Sequence, residues 1–566
     1  MGINGLWEAV KETKACRTVT LADLGAECFR EKGRPLRIAV DTPTLLFPIT
    51  AATKNSLDNA REEAQIKSQA VMMHGMNHSV RTFYQHILDV LASGVQPIFV
   101  FDGPGKPPKK RDEKRNKKRD GDSDCDVYTQ PCSHVVGLVE RGLITQPGPP
   151  VPRLQSDSDC EFKLSHAIPL CHSLLKHLGL PYRDAPGEAE AECAALEKAG
   201  VVDAVMTCDG DAFVFGSRVV LKKLSKKDNN VQVGVVVEQY RMQDLEAAMP
   251  PLRRPDMFLL AMMAGGDYDG GLPGCGPPAA LAAARGWFGK QLEALIIGMH
   301  SDESLAGWKQ KLAGELKTRW PSVAASISRV KIDTFPSRTL ANYYLRPLVS
   351  KMDGGLITVE WDQPIPVSEL RQFTAEFFDW RYKMFAGKFV RTLAFPLLVR
   401  NLLSHGAKGT DGSDMIQDIT LQKENQLRVM FLPSRAVPYD MDQEEYRADF
   451  KPANMKKVFN PKEPYLEWIP EWIVEYGAPA AARKWKQRLS DKEAPAKKRK
   501  SGDLDSANTP KRTRGRPRKD QSIAAATSPA NPVPEALTPI QQPRRIPQPR
   551  IPSSAKGGVV IDLTGD

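Results

Sequence analysis

Short apolar runs alternate with longer amphipathic stretches through most of this chain, a pattern that predicts an α/β core with strands and helices in succession. Three runs read as strands buried on both faces: Leu36-Arg37-Ile38-Ala39-Val40, Pro97-Ile98-Phe99-Val100-Phe101 and Asp203-Ala204-Val205-Met206-Thr207-Cys208. Each leads straight into aspartate: Asp41, Asp102, and Asp209 with Asp211 two residues on. Ligands bind at the C-terminal ends of strands in open α/β sheets, so neighbouring strands would gather these carboxylates at one edge. A single strand-end Asp is more often a helix N-cap, but several together favour a metal site.

Two further acidic segments fit the same centre. Ala185-Pro186-Gly187 opens an Ala-rich helix carrying Glu188, Glu190 and Glu192. In a continuous helix Glu188 and Glu192 share a face and Glu190 points away. Glu188 and Glu190 converge only if Glu188 precedes the first regular turn, and periodicity alone leaves both arrangements open. Further on, an apolar helix over Met257–Ala264 ends at Gly265-Gly266-Asp267, followed by Tyr268, Asp269 and a Gly/Pro-rich turn.

The chain has 566 residues, room for two or three domains, and is 41% hydrophobic and 26% charged. It has no apolar run long enough for a membrane span and no signal-peptide layout at its start. Nine cysteines without a C-x-x-C pair read as reduced thiols. Composition thus predicts neither a membrane nor a secreted disulfide-rich protein. The net charge of +11 is concentrated in two blocks. Lys106–Arg119 holds nine basic and two acidic residues, and Asp491–Asp566 holds 15 basic and eight acidic ones. Such blocks suit a polyanion, because neutralising phosphates releases counterions. The last segment also has 11 prolines and no Phe, Tyr or Trp, a composition that predicts disorder. Asp120–Cys160, with its Asp/Gly and Pro/Gly stretches, reads as a flexible insertion.

Packed carboxylates repel one another unless cations neutralise them, and Mg²⁺ prefers oxygen ligands. Paired metals activate water and stabilise the leaving oxygen of a phosphodiester. An acidic cluster beside a basic block therefore suggests metal-dependent phosphodiester hydrolysis. His74-x-x-x-His78 lacks the Glu of a zinc-protease motif, and neither a P-loop, a dinucleotide fingerprint nor a G-x-S-x-G elbow is present.

Six segments, in order, resemble the XPG/flap-endonuclease family of structure-specific nucleases: Met1-Gly2-Ile3-Asn4-Gly5-Leu6-Trp7, Ile38-Ala39-Val40-Asp41, Phe99-Val100-Phe101-Asp102-Gly103, Ala185-Pro186-Gly187-Glu188-Ala189-Glu190-Ala191, Thr207-Cys208-Asp209-Gly210-Asp211 and Gly266-Asp267-Tyr268. The resemblance implies a mostly parallel central sheet with helices on both faces and a helix-hairpin-helix DNA-binding element. It also implies seven metal carboxylates, Asp41, Asp102, Glu188, Glu190, Asp209, Asp211 and Asp267, holding two Mg²⁺ ions for which Mn²⁺ can substitute. It is the resemblance, not the helix argument, that selects Glu190 over Glu192.

By the same resemblance Lys109, Lys110, Arg111, Lys114 and Arg115 belong to a helical gateway, with Lys109 and Arg115 steering the scissile phosphate. Gly2 would lie against DNA near the branch point. Leu272-Pro273-Gly274-Cys275-Gly276 is similar to the family's hairpin turn, with Gly274 and Gly276 at the duplex backbone. Pro277-Pro278 stand where relatives often carry a basic residue.

The wording around Asp267, with Phe335-Pro336 and Tyr343-Tyr344 downstream, is most similar to the Holliday-junction resolvase branch. The aromatic-free tail lacks the clamp-binding box of the replicative branch. The resulting division is 1–120 and 161–290 as nuclease regions around a 121–160 insertion, then 291–402 as the helical part of the core. A small chromodomain-like α+β module over 410–489 and a basic tail over 490–566 follow.

In that tail, Arg499-Lys500 and Lys511-Arg512-Thr513-Arg514 have bipartite nuclear-import spacing, with Thr509-Pro510 as a proline-directed phosphorylation site beside them. Arg514-Gly515-Arg516-Pro517 resembles an AT-hook. Val559-Val560-Ile561-Asp562-Leu563 resembles a SUMO-interacting strand in which Val559, Val560, Ile561 and Leu563 make the contact. The expectation is a nuclear endonuclease acting on Holliday junctions, 5′ flaps and replication forks, monomeric when free and dimeric on four-way junctions. The alternatives are a flap nuclease without junction resolution and an inactive junction-binding scaffold.

Overall fold

The computed structural model describes residues 2–46, 68–108, 159–223, 234–351, 358–446 and 459–493. Seven strands form one sheet: β1 (Cys16–Thr20), β2 (Arg37–Asp41), β3 (Gln96–Phe101), β4 (Tyr182–Asp184), β5 (Ala204–Met206), β6 (Val219–Lys223) and β7 (Val236–Arg241). Their order is β1-β7-β6-β5-β2-β3-β4. The run from β6 through β5, β2 and β3 to β4 is parallel, whereas β7 is antiparallel to both its neighbours. The three predicted strands are β2, β3 and β5, side by side at the middle, with Val40 opposite both Phe99 and Met206.

Burial explains their continuous apolar character. Side chains alternate along a strand, so one set faces each layer. Ile38, Val40, Phe99 and Phe101 enter a core with Phe83, Tyr84, Ile87 and Leu174. Ala39, Ile98, Val100 and Val205 enter a second one with Ala189, Cys193 and Leu196 of the helix Ala189–Lys198. The sheet is thus covered on both faces. A third core joins the apolar helix Arg254–Ala264 to the helices Pro277–Ala283, Gly289–Ile297, Asp302–Leu316, Pro321–Arg329 and Arg338–Leu345.

Beyond the long helix Tyr382–Lys408, β8 (Ile416–Lys423), β9 (Gln426–Phe431) and β10 (Tyr465–Pro470) make a separate antiparallel sheet in the order β10-β9-β8. Two helices follow β10, Glu471–Gly477 and Pro479–Glu493, separate because Pro479 has no N–H to continue the first. The first of them sits in the main core: Trp472 stacks on Phe29 with ring centroids 4.9 Å apart. Cys16, Cys28, Cys171, Cys193, Cys208 and Cys275 are unpaired thiols, and no helix described is long and apolar enough to cross a membrane.

Candidate active site

The C-terminal ends of β2, β3 and β5 deliver the expected aspartates to one edge of the sheet. Asp41 ends β2 and is fully buried. Its Oδ2 accepts a 2.6 Å hydrogen bond from the Thr207 hydroxyl, while its Oδ1 has no partner. Thr207 also receives the Asp209 N–H at 2.9 Å, and Asp209 Oδ1 receives the Asp211 N–H at 3.0 Å. The turn after β5 is therefore wound around its own carboxylates. Asp102 accepts the Ala189 N–H at 3.0 Å, so this carboxylate also serves the helix start that carries the glutamates.

That helix start resolves the glutamates. Glu188 is its N-cap, with extended backbone (φ −89°, ψ 143°), and regular helix begins only at Ala189. Glu190 then turns towards Asp41, Asp209, Asp102 and Glu188, whose charges all act on it. Glu192 lies on another face, where its Oε1 stands 3.2 Å from Arg183 Nε and its Oε2 accepts the Ser350 N–H at 2.8 Å. The glycines beside Asp102 and Glu188 allow two backbones to touch. Gly103 donates to Gly187 O at 2.8 Å and Gly105 to Pro186 O at 3.0 Å. A Cβ at Gly103 would come within 1.7 Å of Ala185 O.

The seventh carboxylate arrives from the far side. Asp267 Oδ1 accepts the Gly2 N–H at 3.2 Å, and Asp211 Oδ1 accepts the Ile3 N–H at 2.9 Å. Gly2 has φ +87°, and a Cβ there would stand 2.2 Å from Asp209 Oδ1. Only glycine fits at that position. Three groups that sequence reasoning did not assign to the site complete it. Thr207 holds Asp41, the Tyr268 hydroxyl donates to Glu188 Oε2, and Tyr344 packs on Tyr268 with ring centroids 5.0 Å apart. Their signal was adjacency, since Tyr268 follows Asp267 and Thr207 lies just before Asp209.

Electrostatics follow from burial. Loss of water pushes the Asp41 carboxyl up to about 7, helped by Asp102 and Asp209 and opposed by the Thr207 hydrogen bond. Burial, then Asp41 and Asp209, lifts Glu190 well above the usual carboxylate range. Burial, then Asp209 and Asp267, does the same to Asp211. Buried acids of one sign with an unpartnered Asp41 oxygen suit a hard cation supplying the missing positive charge. Among the described residues no three His, Cys, Asp or Glu side chains already form a closed ligating group. The fit to a divalent ion accordingly rests on the all-oxygen donor set and on a repulsion that Lys106, 3.8 Å from Asp102 Oδ2, offsets only in part.

The hairpin turn lies between the helices Arg254–Ala264 and Pro277–Ala283. Leu272 and Cys275 are buried beneath it, whereas a Cβ at Gly274 (φ +76°) would meet nothing within 4 Å, so this backbone is open. Gly276 is the N-cap of the second helix. Lys109, Lys110, Arg111, Lys114 and Arg115, the AT-hook-like Arg514–Pro517 and the SUMO-type Val559–Leu563 lie outside the described residues, as do the 121–158 part of the insertion and the tail from 494.

The XPG N-terminal domain model matches residues 1–123 and the XPG I-region model residues 179–267. "Flap endonuclease GEN-like 1" of Oryza sativa subsp. japonica is 40% identical over 120 residues, covering 21% of this chain and 18% of that protein. Flap endonuclease 1 of Homo sapiens is 26% identical over 288 residues, covering 50% of this chain and 65% of that one. The chain thus spans less than two thirds of the length of these relatives. Among solved structures, the Holliday junction-resolving enzyme GEN1 in complex with product DNA and Mg²⁺ superposes with a TM-score of 0.60 at 28% identity. That match covers 86% of this chain and 100% of the other. The junction-resolving enzyme GEN-1 with potassium gives 0.59 at 27% identity over the same shares.

Proposed function

Because the chain carries both XPG nuclease regions and so belongs to the XPG/flap-endonuclease family, we propose that it is a structure-specific DNA endonuclease that resolves Holliday junctions and cuts 5′ flaps. The observation that carries this reading is the buried acidic cluster at the sheet edge, in which Asp41, Asp209, Asp102 and Glu188 act on Glu190, Asp209 and Asp267 act on Asp211, and one Asp41 oxygen is unpartnered. Likeness to a resolvase structure over the whole of the chain solved there supports junctions as substrate.

Asp41, Asp102, Glu188, Glu190, Asp209, Asp211 and Asp267 would hold two Mg²⁺ ions, with Mn²⁺ able to substitute. When bound, such ions supply an activated water and charge stabilisation at the leaving oxygen. The protein's own groups act by placement. Thr207 and Tyr268 hold Asp41 and Glu188 in fixed orientations, and the Gly2 and Ile3 amides do so for Asp267 and Asp211. Gly2, without a side chain, lets a DNA backbone approach the acids closely. The open Gly274 turn offers the Gly274 and Gly276 amides to duplex phosphates, whereas Pro277 and Pro278, the first two residues of the helix, have no N–H to give. The basic run holding Lys109 and Arg115 follows Asp102 directly and would steer the scissile phosphate.

The antiparallel β8–β10 sheet with a helix behind it supports the chromodomain-like reading of 410–489 as an added DNA contact. For the tail, its import-type clusters support a nuclear protein whose entry responds to phosphorylation at Thr509, with Arg514–Pro517 on DNA and Val559–Leu563 on SUMO. A four-way junction needs two incisions, so the protein acts as a dimer there and is a monomer when free.

The test is Mg²⁺-dependent cleavage of a cruciform plasmid, with Asp209→Asn as control. Linear product that disappears in the variant is the expected result. Nicked circles alone would instead make the protein a flap nuclease without resolution. Retained junction binding with no cut in either junction or 5′ flap would leave an inactive scaffold.

A further inference from the structure

Leu348 is an exposed leucine fixed against the acidic site. It is 56% exposed, yet its backbone and side chain are held at several points. A Cβ at Gly105 would lie 2.6 Å from Leu348 Cδ2, and one at Gly187 would lie 2.6 Å from its carbonyl oxygen and 3.3 Å from its Cβ. Leu348 thus sits on a bare glycine surface formed by the two turns that carry Asp102 and Glu188, which are themselves joined by the Gly103–Gly187 and Gly105–Pro186 hydrogen bonds.

The chain on either side of it is tethered. Upstream, Tyr344 is buried against Tyr268, the residue whose hydroxyl holds Glu188. Downstream, the Ser350 N–H reaches Glu192 Oε2 at 2.8 Å and the Ser350 hydroxyl accepts from Arg183 at 3.0 Å, while Arg183 Nε stands 3.2 Å from Glu192 Oε1. The Glu192 side chain is fully buried. Burying an acid with a cation and a backbone donor fixes geometry more than it adds stability. Here the geometry fixed is that of a loop whose tip is an apolar side chain in solvent.

An exposed isobutyl group gains nothing from water, and holding it rigid removes the rotational freedom that it would otherwise lose on contact. The surface it would meet must be apolar and must lie beside the acids. In a nucleic acid whose phosphate is held by those acids, that surface is the adjoining base and sugar, because the phosphate itself is taken by charged groups.

Resting on the nuclease reading above, we infer that Leu348 is a substrate contact: its side chain packs on the nucleotide next to the scissile phosphate, and the Arg183–Glu192–Ser350 latch positions it. The full chain is compared with Leu348→Ala and Leu348→Met on 5′-flap and four-way-junction DNA carrying 2-aminopurine beside the cut. Fluorescence is read at saturating protein in an Asp209→Asn background, and single-turnover cleavage in the native one.

The expected result is a binding-induced fluorescence change that Leu348→Ala largely removes and Leu348→Met keeps. Cleavage by Leu348→Ala falls about 10-fold or more, within what small misplacements cost, with an unchanged melting temperature. An unaltered fluorescence change together with an unaltered rate in Leu348→Ala overturns the inference. Failure of the nuclease reading looks different, since the native chain would then cut neither DNA.

Discussion

Glu190 and Glu192 stand two residues apart in the first turn of one helix and serve opposite purposes: Glu190 shares a buried acidic cluster with Asp41 and Asp209, and Glu192 is paired with Arg183. Their isosteric amides should therefore diverge. Glu190→Gln removes a like charge from a cluster already short of counter-charge, so without metal it should melt higher than the native chain while cutting neither junction nor flap. Glu192→Gln leaves the partly exposed Arg183 without its charged partner and should lower stability by about 1–3 kcal/mol, the scale of a lost hydrogen-bond partner. Melting curves in a chelator, alongside plasmid cleavage, separate the two.

Adding Mg²⁺ to the native chain should raise its melting temperature, because an ion that binds only the folded acids stabilises by mass action. Asp41→Asn, which replaces the carboxylate with the unpartnered oxygen, should show a smaller rise. Equal rises in both would mean that Asp41 holds no ion.

Tyr268→Phe keeps the ring against Tyr344 and deletes only the hydroxyl that holds Glu188. Supports of this kind typically change metal affinity by about 10–100-fold. The expected outcome is a weaker Mg²⁺ dependence of melting and of cleavage with little loss of intrinsic stability, read by titrating Mg²⁺ in both assays.

Gly2→Ala places a Cβ 2.2 Å from Asp209 Oδ1 at a backbone angle of φ +87°. The segment before Leu6 must then shift away from the acids. Cleavage should fall by about 10² in rate, the scale of an ångström-sized displacement, with the melting transition largely intact.

Far from the site, Asp203 lies at the entry to β5 and receives Arg34 at 2.8 and 2.9 Å, Lys32, and the Arg37 N–H at 2.9 Å. Burial alone would raise its carboxyl, but these donors win and hold it at about 2. A carboxyl depressed on folding stabilises fully above its unfolded value near 4, and this contribution is lost as pH falls towards 2. Urea denaturation at pH 5 and pH 2.5 should show a drop of roughly 1–2 kcal/mol in the native chain that Asp203→Asn lacks, allowing for partial screening.

The sequence made the central strands legible because burial on both faces leaves an uninterrupted apolar run, and their terminal aspartates followed from the strand ends. It did not decide between Glu190 and Glu192, since that choice turns on Glu188 having an extended backbone one residue before the helix. Residue spacing does not encode such a boundary. The antiparallel edge was hidden for another reason. Cys16-Arg17-Thr18-Val19-Thr20 is mostly exposed, and β7 pairs with it across more than two hundred residues. Tyr268 and Tyr344 were visible as residues but not as parts of the site, because their role lies in a contact between a turn and a helix distant in sequence.

The Gly2–Asp267 hydrogen bond spans 265 residues of chain. A ribosome adding roughly 5–20 residues per second needs on the order of 10–50 s to make the second partner after the first. Throughout that interval the early aspartates exist without the late ones, so the acidic edge of the sheet stays incomplete, and Gly2 without its partner, until Asp267 has been made.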